Sequence, residues 1–303
     1  MKRTLLLMVV AVMASMMTLS AKKHASDKPE GERIVLKAAR DFNAIVLNAP
    51  VTVELIKDSR HPGVIVYHST KKGELKVYSK GQELIVGVQD EWKNKSLHVT
   101  SRVVVCYDGD IRSIVVNGSG SVLAKRIDVD GDMKCKVNGS GDIKIDDMFA
   151  KGTFDGAVNG SGDLGLSTLE ASVMIAKVNG SGDMDIKKCT IGTSAVLSVN
   201  GSGDLDVKSI KVTGVSASVN GSGDLSVKGT AVDAELSLNG SGDLKAGSLD
   251  AESTVVTGSG SGDIYCRASR SLNVKAQKSC DVHVRGPRPA QINIKADNVH
   301  FDK

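Results

Sequence analysis

Seven aspartates recur at nearly even intervals through the C-terminal two-thirds of this chain: Asp142, Asp163, Asp183, Asp204, Asp224, Asp243 and Asp263. A line of carboxylates could serve two chemistries, cation binding or acid/base attack on a glycosidic bond. Calcium takes roughly six to eight oxygen ligands, and each interval supplies a single carboxylate. A glycosidase needs two carboxyls in unlike surroundings that push their pKa values apart. Surroundings that repeat make these groups alike. At a spacing of ~4.8 Å, neighbouring carboxylates would repel by roughly 0.9 kcal/mol in water, a tolerable cost if each is solvated or accepts a backbone N–H. The pattern therefore points to turn capping. No catalytic, cofactor-binding or metal-ligating residue is assigned, and no cofactor is expected.

Other reactive types give less. Basic residues eight places after five of the repeat starts, Lys187, Lys208, Lys228, Arg267 and Arg285, form a partial second column. It reads as a solvated face that offsets the aspartates and discourages edge pairing, or as a strip for anionic polysaccharide. His24, His61, His68, His98, His283 and His300 are scattered without ligand or triad spacing. Trp92 reads as packed over a cap, with sugar stacking as the other possibility. Cys106, Cys135, Cys189, Cys266 and Cys280 are odd in number and irregular in spacing, so no disulfide framework is expected. Turn serines lack a neighbouring base.

Each aspartate closes a five-residue phrase. Asn-Gly-Ser-Gly-Asp starts at Asn138, Asn159, Asn179, Asn200, Asn220 and Asn239, with worn copies from Asn117, Ser259 and Gln277. The intervals are 21, 21, 20, 21, 20, 19, 20 and 18 residues, a period that signals stacked repeats. Around the phrase, apolar residues alternate with polar ones. Val137, Val158, Val178, Val199, Val219 and Leu238 come one place before it; Ile143, Leu164, Met184, Leu205, Leu225 and Leu244 come five places after its start. Such alternation means one face in and one face out.

Two architectures fit, a β-solenoid of ~20-residue coils or an antiparallel meander with Asn-Gly hairpins. A membrane barrel would need an apolar, aromatic-belted exterior, and here the outward columns carry Lys, Asp and Ser. Only one kind of turn recurs, which favours the solenoid over the meander. The expectation is an all-β, single-stranded β-helix with stacked turns. Its Asn amides would bond along the axis, and its glycines would supply positive φ. Nine coils would span roughly 40 Å.

Residues 1–21 read as a cleavable signal peptide: Lys2 and Arg3, an apolar run from Leu5 to Leu19, then Ser20 and Ala21. Residues 22–32 read as a flexible linker and 33–303 as one domain, with irregular N-terminal coils and cap (33–115), regular coils (116–285) and a C-terminal cap (286–303). Without the signal, 37 basic residues face 35 acidic ones, since 39 less Lys2 and Arg3 leaves 37. That balance disfavours nucleic acid. No membrane span is expected in the mature chain, and the oligomeric state is left open. Ile34 to Tyr107 shows irregular strands, and Asn48-Ala49-Pro50 resembles a worn turn.

The signal segment, the strand pair from Phe42 to Leu55 and the serial Asn-Gly-Ser-Gly-Asp turns resemble the putative auto-transporter adhesin head GIN domain family, common in the Bacteroidetes. The resemblance covers roughly residues 40–290. It implies an exported β-helix and carries no catalytic residues. Ile292-Asn293-Ile294-Lys295 and the short tail after it do not read as a translocating barrel, so export past the periplasm is expected to use other machinery. The function expected is a non-catalytic, adhesin-like scaffold in the periplasm, on the outer surface or secreted, with polysaccharide or a surface protein as partner. A β-helical polysaccharide-acting enzyme and a calcium-stabilised repeat protein are the alternatives.

Overall fold

The structure, a computed structural model, describes residues 33–36, 42–60, 62–67, 75–88, 102–277 and 279–302. The expected signal peptide and linker, Trp92, His24, His61, His68 and His98 lie outside these residues. The described chain is all-β and winds into a solenoid of about nine turns. Every strand pairing from Ser113 to Asp302 is parallel. Parallel register settles the choice against a meander, in which hairpins would pair neighbouring strands head to tail.

One coil shows how sequence becomes shape. From Ile143 the chain forms a first side to Ile145, a second from Asp147 to Ala150 and a third from Thr153 to Val158, each paired with the equivalent side of the next coil. The register slips between Ala150 and Thr153, where the chain rounds a corner. Because side chains alternate in and out, the apolar columns meet inside. Ile143, Leu164, Met184, Leu205, Leu225, Leu244, Ile264 and Val282 stack on one side, all essentially inaccessible to solvent. Val137, Val158, Val178, Val199, Val219 and Leu238 face them. Burying each such side chain contributes about 1.5–3 kcal/mol before entropy is counted.

Volume is matched across neighbouring positions. Phe154 is fully buried, and Gly156 leaves the room it needs: a Cβ on Gly156 would lie 2.8 Å from the phenyl ring. Gly258 interrupts the valine column in the same way, because a Cβ there would meet the Cys280 sulfur at 2.5 Å. All five cysteines are buried free thiols. Burial pushes Cys106 and Cys280 up to about 11 and Cys189 and Cys266 up to about 12, away from reactive thiolate.

The turns stack through four sets of bonds. Asn Nδ2 donates to the Asn Oδ1 beneath at 2.8–2.9 Å, from Asn220 down to Asn117 and finally Asn48. The first glycine's carbonyl accepts two N–H groups of the next coil, as Gly160 O does from Ser181 at 3.0 Å and Gly182 at 3.1 Å. From Asp142 to Asp243 each Asp Oδ1 accepts the backbone N–H of the next Asp, at 2.8 Å for Asp183 and Asp204. The Asp carbonyl then accepts from the coil below, as Asp183 O does from Leu164 N at 3.0 Å. The aspartates cap turns, but between coils rather than within one.

The glycines have a different reason from the one the sequence suggested. None of the turn glycines has positive φ; Gly81, Gly131, Gly229 and Gly286 alone do among described residues. Instead, from Gly120 to Gly262 a Cβ on any of them would fall on a carbonyl of the coil beneath, whereas at Gly118, over the first turn, it would find the nearest atom at 3.6 Å. On Gly182 it would sit 2.0 Å from Gly162 O, and on Gly180 2.0 Å from Gly160 O. Glycine is required by proximity, not by torsion.

The N-terminal end departs from the regular wind. Ala44–Leu47 and Thr52–Lys57 flank the first turn. Glu83–Val88 and Arg102–Tyr107 lie parallel beneath them, while Ser113–Val116 and Ser121–Val129 stack above. Antiparallel partners then cover this lower layer, Leu75–Lys80 on one side and Gly63–Tyr67 with Arg33–Leu36 on the other. The stack ends at Gln291–Lys295 and Val299–Asp302.

The glycine contacts generate a paired test. Gly182→Ala should lower the denaturation midpoint by the equivalent of about 1–3 kcal/mol or more, as overpacking does. Gly165→Ala, whose Cβ would find only Lys144 Cγ at 3.9 Å, should shift it by less than about 0.5 kcal/mol. Equal midpoints would show that the corner relaxes freely.

Candidate functional site

The outward face of the strand after each turn is where polar chemistry collects. Register places Lys144, Gly165, Asp185, Asp206, Ser226, Lys245, Tyr265, His283 and His300 in one column. Two residues further along each strand come the basic residues Lys187, Lys208, Lys228, Arg267 and Arg285; Gly247 holds that sequence place in its own coil, where the register slips and Ser248 pairs with Lys228. The turn aspartates run along the other edge. These three parallel rows form a flank whose backbone is fixed by the stack.

Charges along the flank are paired between coils. Lys208 reaches Asp185 at 2.5 Å and Asp206 at 3.9 Å, and Lys245 reaches Asp224 at 2.5 Å and Asp243 at 3.5 Å. All are partly exposed, so each contributes little to stability. Burial alone would push the Asp224 carboxyl up. The Asp243 backbone N–H and the Lys245 ammonium together outweigh it and hold the group below its ordinary range.

Toward the C-terminal end the column becomes aromatic. Tyr265 stacks on His283 with ring centroids 4.8 Å apart, and His283 on His300 at 5.2 Å. Asp302 Oδ2 lies 3.3 Å from His283 Nδ1, and the Tyr265 hydroxyl donates to Asp263 Oδ2 at 3.4 Å. The Arg285 guanidinium sits 4.9 Å from the Tyr265 ring centroid. In the sequence these histidines look scattered. His283 sits at the same offset from Gln277 as Tyr265 does from Ser259, so the period held the signal. His300 follows no repeat phrase and could not be placed.

One open groove borders the columns, and another lies apart from them. The first, of about 370 Å3, is lined by Ser226, Lys228, Lys245, Gly247, Ser248, Tyr265 and Arg285. The other, about 740 Å3, runs along the corner nearer the N-terminal end. It has mixed charge, with Lys57, Lys151, Asp110, Asp128 and Glu170 around Phe149. Arg126 lies 4.3 Å from the Phe149 ring centroid and bonds Asp128 through both Nε and Nη2. That bond, with the Arg126 charge, holds the Asp128 carboxyl below its ordinary range against burial.

Acid sensitivity follows from the depressed carboxyls. A group whose folded pKa lies below its unfolded value stabilises above the ordinary carboxylate range, and loses that contribution as pH falls through the depressed value. The denaturation midpoint should therefore drop below about pH 4. Asp224→Asn should flatten that drop, and an unchanged slope would remove Asp224 from the acid response.

Several solved structures are similar to this solenoid. A crystal structure of a putative adhesin from Parabacteroides distasonis shares 17% identity, spans 89% of this chain and 97% of its own, and has a TM-score of 0.49. Another, of a putative adhesin from Parabacteroides merdae, shares 17% over 89% and 95%, with a TM-score of 0.47. A third, described as a putative lipid binding protein from Parabacteroides distasonis, shares 17% over 90% and 97%, with a TM-score of 0.44. At a comparable level of significance no curated protein matches. The family profile matches residues 41–198 and 191–287, and the chain belongs to the putative auto-transporter adhesin, head GIN domain family.

Proposed function

We propose that this protein is an exported, adhesin-like scaffold that binds a surface polymer or protein along its flank and does no chemistry on it. The observation that carries the reading is the set of parallel side-chain columns, held at constant spacing by backbone that each coil fixes for the next. A long surface of this kind presents repeated contacts, which suits weak individual bonds summed by multivalency. Membership of an adhesin-named family supports the same reading. Export rests on the signal segment read in residues 1–21.

An enzyme of β-helical shape is the less favoured reading. Its two carboxyls would have to differ in environment, whereas from Asp142 to Asp243 each turn aspartate accepts the same N–H from the coil above. The same bond occupies one oxygen that a cation would use.

Surface labelling of intact source cells, combined with adhesion of beads coated with the mature protein, tests the proposal. The expected result is labelling without lysis, together with saturable adhesion that releases no new reducing ends. Labelling only after the envelope is opened, or release of product from a bound polysaccharide, would overturn it.

A further inference from the structure

We propose that the groove between Lys228 and Arg285 binds the acidic groups of an anionic polysaccharide. This rests on the scaffold reading above and names where on the flank, and to what chemistry, the protein attaches. Three of its lining side chains are cationic, Lys228, Lys245 and Arg285, two are the hydroxyls of Ser226 and Ser248, and none is a carboxylate. Lys245 is paired with Asp224 and Asp243, as Lys208 is with Asp185 and Asp206 further down the flank, while Lys228 and Arg285 add two more cations to the same depression. Here the basic column borders a depression.

The geometry holds the cations ready. Gly247 falls at a register slip, with Ser248 paired to Lys228, and brings no side chain of its own. A Cβ there would lie 2.7 Å from Arg285 Cδ and 3.2 Å from its Nε. The gap therefore lets Arg285 lean back two coils into the groove. Its guanidinium is steadied by Tyr265, which is backed in turn by His283. Arg267, between the two coils, turns aside to Asp250 at 3.0 Å. Lys245 is aimed by Asp224 and Asp243, and that pairing raises its pKa, so it stays charged. Side chains positioned before the ligand arrives lose less freedom on binding.

Charge and shape together select the ligand class. A guanidinium fork matches a planar carboxylate or a sulfate, and ammonium groups take either as point charges. Cations at successive coils, ~4.8 Å apart per step, suit a polymer with acidic groups along its length. Hydroxyls beside them serve sugar hydroxyls. The lining carries no large aliphatic side chain to enter a bilayer, which favours a glycan over a lipid surface. A duplex would need a continuous basic face, and the turn aspartates interrupt one here.

Titration of the mature protein with polygalacturonate, dextran sulfate, neutral dextran and phosphatidylglycerol vesicles tests this. Saturable, salt-sensitive binding of one or both acidic polysaccharides is expected, without binding of neutral dextran. Stronger binding of polygalacturonate would identify carboxylate as the preferred group, and stronger binding of dextran sulfate would identify sulfate. Lys228→Gln and Arg285→Gln should each weaken binding by about tenfold, the range for a charged hydrogen bond. Lys187→Gln, in the same column but outside the groove, should leave it unchanged. If Arg285→Gln lowers the melting temperature, Lys228→Gln decides. Binding of neither polyanion, preference for vesicles, or equal losses in all three variants would overturn the proposal. A chain labelled on intact cells yet indifferent to both polyanions would sink the groove assignment alone and leave the scaffold reading standing.

Discussion

The fold depends on a contact that leaves no room for a side chain. In each turn from Asn138 to Ser259, both glycines rest against carbonyl groups of the coil beneath, close enough that a Cβ would overlap the oxygen. That closeness brings the Asn amides, the Gly carbonyls and the Asp carboxylates each within bonding distance of their own copies. A larger residue would lift one corner, and with it the sides of the coil that depend on the same rise. Uniformity of the phrase is thus a geometric requirement passed from coil to coil, as expected where each unit contacts only its neighbours.

The same constraint leaves the outside free. With the corner fixing the rise and the aliphatic columns filling the interior, outward positions are asked only to remain soluble and to avoid edge pairing. They vary accordingly: one outward column passes through Lys144, Gly165, Asp185, Ser226 and Tyr265 without disturbing the register. Variation on a rigid frame is how a repeat architecture acquires a local site, and the Gly247 gap beneath Arg285 is such a case.

Much of the architecture was legible in the order of residues, because one phrase recurs and its flanks alternate. The Asn amide ladder and the buried valines follow from those two facts. The role of the turn glycines did not, since the carbonyl each one meets belongs to a residue about twenty places earlier and appears only once the coil closes. The N-terminal end hid for a related reason. Asn48 and Asn117 are bonded, yet 69 residues separate them, and the intervening strands interrupt the period. At the other end, the aromatic stack was missed because the repeat shortens and then loses its phrase before His300.

Bonding of like to like has one more consequence, for size. A corner whose partners are its own replicas holds no record of how many coils precede it. Excising Asn179–Val199 would set Asn159 beneath Asn200 with the same donors and acceptors facing each other. The reach of the molecule is therefore adjustable in increments of one coil, while its cross-section and its two ends stay as they are.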